Sequence, residues 1–249
     1  MSSAAPRPGL MPRRRRFDPA AATLLVAAIC LVAFSLGPRG AASAGAALPT
    51  ISPEEATARP GPIARGSDAD AAWLIGAAAP DLPRLRWLDG RARDRRTIEG
   101  RVVVIRSFTN ECPFCAATMP ALERIHRDYE GRGLLVLGVY HPKPPRPIAS
   151  ADVAEFAASL GLTYPVAVDT DWRLVNRWWL DRTDGEWTSI TWIVDGSGTI
   201  RAIHPGGEYH EGGGPEHARC RQDAIAIRRE IERLLAEGAQ PEKGEGGAE

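Results

Sequence analysis

Within Arg101 to Phe108 the apolar residues Val102, Val103, Val104 and Ile105 follow one another without a break, the pattern of a strand buried on both faces of a sheet. The period then changes. Between Cys115 and Gly131 the apolar positions Met119, Leu122, Ile125 and Tyr129 recur every three or four residues, which predicts an amphipathic helix stopped at Gly131. Leu134 to Tyr140 reads as a second buried strand, Ala151 to Leu160 as a helix ended by Gly161, and Pro165 to Val168 as a short strand. Ser189 to Val194 and Thr199 to His204 flank the turn Asp195-Gly196-Ser197-Gly198 and predict a hairpin. A closing helix is expected from about Asp223 to Leu235, apolar at Ile227, Ile231, Leu234 and Leu235. Strand and helix in alternation, then hairpin, then helix, predict one α/β domain over residues 71–237, with a mixed central sheet flanked by helices.

The two ends lack this patterning. Arg13 to Arg16, the apolar stretch Ala20 to Leu36 and the small residues Gly40 to Ala47 follow the order of an export signal, so residues 1–46 read as a signal peptide or signal-anchor helix. An apolar run of about 17 residues lies between a signal core and a membrane span of roughly 20. Cleavage at Ala42-Ser43-Ala44 or Ala44-Gly45-Ala46, or retention of residues 20–36 as a membrane anchor, are both open. Either places the domain in the periplasm or another extracytoplasmic space, secreted or tethered to the inner membrane. Residues 47–70 read as a linker with a short helical piece near Pro53 to Ala58, and residues 238–249 as a disordered tail. The 31 basic and 31 acidic residues cancel, so no nucleic-acid partner is expected.

Of the four cysteines, Cys30 falls in the apolar leader, leaving Cys112, Cys115 and Cys220, too few for a disulfide framework. Cys112-Pro113-Phe114-Cys115 stands between the first strand and its helix, where free N–H groups and the helix dipole favour a thiolate. Pro113 suits a first helical turn. A zinc half-site and an inert disulfide are the alternatives. Zinc needs two further ligands; His210, His217 and Cys220 are of the right type, but no second Cys-x-x-Cys or His-x-x-x-His spacing is present. No metal or cofactor is therefore expected, and Cys220 reads as a spare thiol. Thr109, Pro113, Phe114, His141 and Ser189 are expected on the active-site rim. The proline-rich His141 to Pro147 follows the second strand, on the same rim of a parallel pair as Cys112. His141, Lys143 or Arg146 would there contact substrate or raise the thiolate fraction, unless the loop is only a rigid surface connection. Glu111 reads as solvated, and Trp172, Trp178, Trp179 and Trp187 as packing residues. Gly206 to Gly214 has no phosphate-loop context.

Gly76-Ala77-Ala78-Ala79-Pro80-Asp81 resembles the opening G-x-x-A-P-x-F segment of the redoxin and TlpA/ResA-like thioredoxin proteins. Ile98 to Phe108 followed by the Cys-x-x-Cys and Pro120 is similar to the same family, and Trp192-Ile193-Val194-Asp195 with Gly198 resembles its F-L-I-D-x-x-G hairpin. The resemblance implies a thioredoxin-like fold, export, and dithiol–disulfide exchange with protein substrates, Cys112 as nucleophile and Cys115 as resolving residue. One position departs from it. Ser189 stands where the family has a cis-proline, and because a cis bond before serine costs about 3 kcal/mol, a trans bond is expected. Three functions stay open. A thiol:disulfide oxidoreductase is the first, and because Pro-Phe lacks the histidine of DsbA-type oxidants, the reading tilts to a reductase fed by a membrane electron donor. Phe108-Thr109-Asn110-Glu111-Cys112 resembles the Thr-x-x-Cys of peroxiredoxins, with Ile105 in place of the expected proline. A non-enzymatic interaction or metal-delivery module is the third.

Overall fold

The computed structural model describes residues 69–238. The proposed leader, its cleavage sites, most of the linker and the tail after residue 238 lie outside the described residues. Among those described, no helix is long and apolar enough to cross a membrane.

The apolar run expected to be central is central. Strand β2 (Val102–Phe108) is buried along its whole length and pairs in parallel with β3 (Leu134–Tyr140). On its other side it runs antiparallel to β5 (Thr191–Val194), which forms the predicted hairpin with β6 (Ile200–His204). Asp195 fixes the hairpin turn, its Oδ1 accepting from the N–H groups of Ser197 and Thr199, each at 3.0 Å. Strand β4 (Val166–Val168) extends the parallel side, and β1 (Arg86–Trp87), too short to leave a pattern in the sequence, pairs antiparallel at its edge. The order is β1-β4-β3-β2-β5-β6, a mixed sheet. The stretch Gly76 to Ala79 hydrogen-bonds the hairpin through Ala79 N–H to Gly198 O and Ile200 N–H to Ala77 O.

Side-chain alternation along β2 divides the core. Val102, Val104 and Phe108 face a cluster built with helices α3 (Pro113–Tyr129), α4 (Ser150–Ser159) and α6 (Ala218–Gly238). Val103 and Ile105 face the opposite cluster, which contains Leu74, Leu174, Trp178, Trp179 and Trp192. The described chain also has short helices α1 (Ala69–Ala72), α2 (Arg95–Ile98) and α5 (Arg173–Val175) and a 3-10 turn, Pro215–His217, just before α6; α5 runs into a π-helical turn, Asn176–Leu180. That turn buries Trp178 and Trp179, as expected of packing residues, whereas Trp187 is exposed.

Three boundaries move. Helix α3 begins two residues earlier than its apolar period, because Cys112 is its N-cap and Pro113 opens its first turn. It ends in a 3-10 turn, Glu130–Arg132, and the left-handed stop is Gly133 (φ 97°) rather than Gly131. Helix α6 starts at Ala218, taking Cys220 into its first turn.

Candidate active site

Cys112 and Cys115 stand at the amino end of α3, with Cys115 N–H donating to Cys112 O at 3.0 Å. Cys112 is partly exposed and Cys115 is fully buried. Cys115 Sγ lies 3.2 Å from Ser189 Oγ, so the thiol can donate to the hydroxyl and, once ionised, accept from it. The Thr188–Ser189 bond is trans, as expected; the single cis bond among the described residues is Lys143–Pro144. Ser189 is held from both sides. Ser107 Oγ on β2 donates to Thr188 O at 2.6 Å and accepts from Ile190 N–H at 2.9 Å, while His141 Nε2 is 2.9 Å from Thr188 Oγ1.

Beneath the pair lies a residue that the strand pattern conceals. Arg106, on the same face of β2 as Val104, is completely buried. Its Nη1 donates to Thr191 Oγ1 at 3.1 Å, its Nη2 reaches Gly207 O at 3.5 Å, and its guanidinium lies 5.8 Å from the centre of the Tyr209 ring. Its Nε has no partner, and none of the ion pairs among the described residues includes it. The anion that this charge can serve is Cys115. Burial pushes the Cys115 thiol up, but the Arg106 charge, the Ser189 hydroxyl, a backbone bond at Thr109 and the Cys112 side chain outweigh it, and its pKa stands below the usual thiol value.

His141 is buried rather than offered to substrate, with its ring edge-on to Trp172 at 5.6 Å. Burial, with Lys143 and Arg106 adding repulsion, lowers its pKa to about 3, so at neutral pH it is uncharged and cannot raise the thiolate fraction as a cation. It positions Thr188 instead. Glu111, read from sequence as solvated, is pinned: Arg146 pairs with one carboxylate oxygen and Lys143 N–H donates to the other at 2.9 Å, and the carboxyl is held below its ordinary range by Arg146 first. The proline-rich loop is thereby fastened to the residue preceding Cys112. Thr109 is fully buried, and its hydroxyl accepts from Glu111 N–H at 3.3 Å, which leaves the feature behind the peroxidase reading facing inward.

Phe114, 41% exposed, and Trp187, 52% exposed, line a cleft of about 340 Å³ together with Gly206, Gly207, Glu208 and Cys220. The exposed apolar rim fits contact with another chain. His210, His217 and Cys220, which sequence spacing does not join into a site, are gathered with Glu208 at the start of α6.

The AhpC/TSA family profile matches residues 75–203, more than half of the chain. The chain belongs to the AhpC/TSA family. Among curated relatives, protein DipZ of Mycobacterium tuberculosis is 30% identical over 137 residues, covering 53% of this chain and 19% of DipZ. Thiol-disulfide oxidoreductase ResA of Halalkalibacterium halodurans is 23% identical over 120 residues, covering 48% of this chain and 62% of ResA. The chain thus spans about a fifth of DipZ and less than two thirds of that ResA. Among solved structures, a candidate protein disulfide isomerase from Bacteroides thetaiotaomicron is similar with a TM-score of 0.53 at 22% identity, covering 66% of this chain and 91% of that one. A candidate thiol:disulfide interchange protein DsbE from Chlorobium tepidum gives a TM-score of 0.50 at 20% identity, covering 65% and 97%. For an AhpC/TSA member these likenesses show the fold, a thioredoxin-like mixed sheet with flanking helices.

Proposed function

We propose that this AhpC/TSA protein is an extracytoplasmic thiol:disulfide oxidoreductase that works as a reductase through Cys112 and Cys115. The observation that carries the reading is the pairing of a reachable Cys112 with a buried Cys115 set over the unpaired charge of Arg106. The names of the ResA relatives support the reaction class, and the basic-apolar-small order of residues 13–47 supports export.

The thiolate of Cys112 attacks one sulfur of a substrate disulfide; a Cys112–substrate bond forms, the substrate S–S bond breaks, and one substrate thiolate leaves. Cys115 then attacks Cys112 Sγ as a thiolate, forming the Cys112–Cys115 disulfide and releasing the second substrate thiolate. Two electrons pass from the pair to the substrate, whose thiolates take protons from solvent. Arg106 and the Ser189 hydroxyl favour the second attack by holding Cys115 ionised at low cost. Return to the dithiol requires a reductant, and outside the cytoplasm a membrane dithiol donor fits.

Turnover of insulin disulfides at the expense of dithiothreitol tests the reaction. Activity in the parent chain and its loss in Cys112→Ser, with far-ultraviolet dichroism unchanged, is the expected result; equal activity in Cys112→Ser ends the proposal. A reduction potential near about −270 mV supports a reductase, and one near about −120 mV an oxidant.

A further inference from the structure

The loop after β6 and the first turn of α6 bring four metal-ligand types together: Glu208, His210, His217 and Cys220, whose ligand atoms all lie within 4.8 Å of one another. Glu208 Oε1 is 3.3 Å from His217 Nδ1, 3.6 Å from Cys220 Sγ and 3.8 Å from His210 Nε2. Cys220 Sγ is 3.7 Å from His217 Nδ1. A tetrahedral centre with bonds of about 2.0 to 2.3 Å sets its donors roughly 3.3 to 3.8 Å apart. The four edges that meet at Glu208 or join Cys220 to His217 fall in that interval, and the two from His210 to His217 and Cys220 lie within 4.8 Å, close enough for a small side-chain adjustment to close the site.

The surroundings orient the donors as a metal would need them. His210 Nδ1 lies 3.1 Å from Gly212 O, which places the ring proton on Nδ1 and turns the Nε2 lone pair toward the cluster. His217 presents Nδ1 to the cluster, and its outer Nε2 has the Glu216 carboxylate 3.7 Å away. Gly213, with φ +87°, lets the His217 ring lie against the backbone, since a Cβ there would come within 2.4 Å of it. His210 N–H donates to Cys220 O at 3.3 Å, joining loop to helix.

We propose that Glu208, His210, His217 and Cys220 bind one zinc ion in a closed, tetrahedral structural site that fastens the wall of the cleft beside Phe114. One sulfur, two nitrogens and one oxygen suit this borderline-soft cation, and a thiolate plus a carboxylate balance its two positive charges. Binding displaces the Cys220 proton to solvent, so affinity falls as pH falls. The same loop carries Gly207, whose carbonyl receives Arg106, so the metal steadies one contact of the cation below the redox pair.

The test is a titration of the untagged chain with Co2+, under reducing anaerobic conditions, with Cys30, Cys112 and Cys115 all changed to serine so that Cys220 is the one thiol left. Expected are one cobalt per chain, the intense visible bands of a tetrahedral ion, a thiolate-to-cobalt charge-transfer band, and bleaching of all of them by Zn2+. Cys220→Ser should abolish the charge-transfer band. His210→Ala should weaken cobalt binding by more than the about 10- to 100-fold typical of lost outer-shell contacts. Absence of the tetrahedral spectrum in the titrated chain, a charge-transfer band that survives Cys220→Ser, or unchanged affinity in His210→Ala would each overturn the proposal. The titration before any change at residue 220 stands even if Cys220→Ser fails to fold.

Discussion

An arginine among valine, isoleucine and phenylalanine loses its hydration on folding, and Arg106 recovers only part of it through Thr191 and Gly207. Replacing it by methionine should therefore act in two opposite directions. Stability to urea should rise, by about 1 to 3 kcal/mol, because an unpaired buried charge is exchanged for apolar packing. The reduced pair should become less favoured, since its thiolate loses a cation, and the potential should move more negative by on the order of 30 mV for each 1.4 kcal/mol lost. A more stable protein with an unchanged potential would leave Arg106 without a part in the chemistry. Ser189→Ala removes one hydrogen bond worth about 1 kcal/mol, and thiolate absorbance should report a higher Cys115 pKa. At this scale the sequence exposes the cysteine pair, because its Cys-x-x-Cys falls between a buried strand and a helix, and it exposes Ser189 as a departure. It conceals Arg106, because one charge at the end of four apolar residues reads as the edge of a strand. It also conceals that His141 is walled in, since a histidine after a strand is compatible with either rim or interior.

Elements were legible where their periods are long. The heart of the sheet, β2 and β3, and the helices α3 and α4 lie within two residues of where apolar spacing places them. The short pieces were not, because two residues of β1 or five of a π-turn cannot carry a period. Ends set by backbone conformation rather than side-chain pattern also escaped, as the shift of the α3 stop to Gly133 shows. Two glycines separate the two kinds of constraint. Gly133 has φ +97° with open space around a would-be Cβ, so Gly133→Ala should cost about 1 kcal/mol, from backbone conformation alone. Gly138 in β3 has an ordinary φ, but a Cβ there would meet Phe108 and Tyr164 at 3.1 Å and Val166 at 3.3 Å. Gly138→Ala should cost more, about 1 to 3 kcal/mol, through overpacking. Denaturant midpoints of the two variants test the ranking; a larger loss in Gly133→Ala would contradict it.

Over the whole molecule, two histidines buried without charge make the fold sensitive to acid. Unfolded His141 binds a proton near pH 6.5, whereas folded His141 does so only near about 3. Between those values the unfolded chain holds the extra proton, so stability present above pH 6.5 is lost on acidification, by about 1.4 kcal/mol per pH unit from this residue alone. His204, beside Asp223 and shifted in the same direction chiefly by burial, adds to the slope. Unfolding free energies measured from pH 7 to 5 should fall accordingly; a flat profile would mean that His141 is charged or hydrated in the fold. The arrangement of β2 has another outcome, in time rather than in energy. Its parallel partner β3 follows soon after it in the chain, but Arg106 meets Thr191 of β5 across a separation of 85 residues. As the chain emerges amino end first, one edge of its most apolar strand must wait for a late hairpin. Loop closure of that length slows folding, and the waiting edge is open to a neighbouring chain. Refolding yield should therefore fall with protein concentration far more steeply than the stability of the finished sheet would suggest.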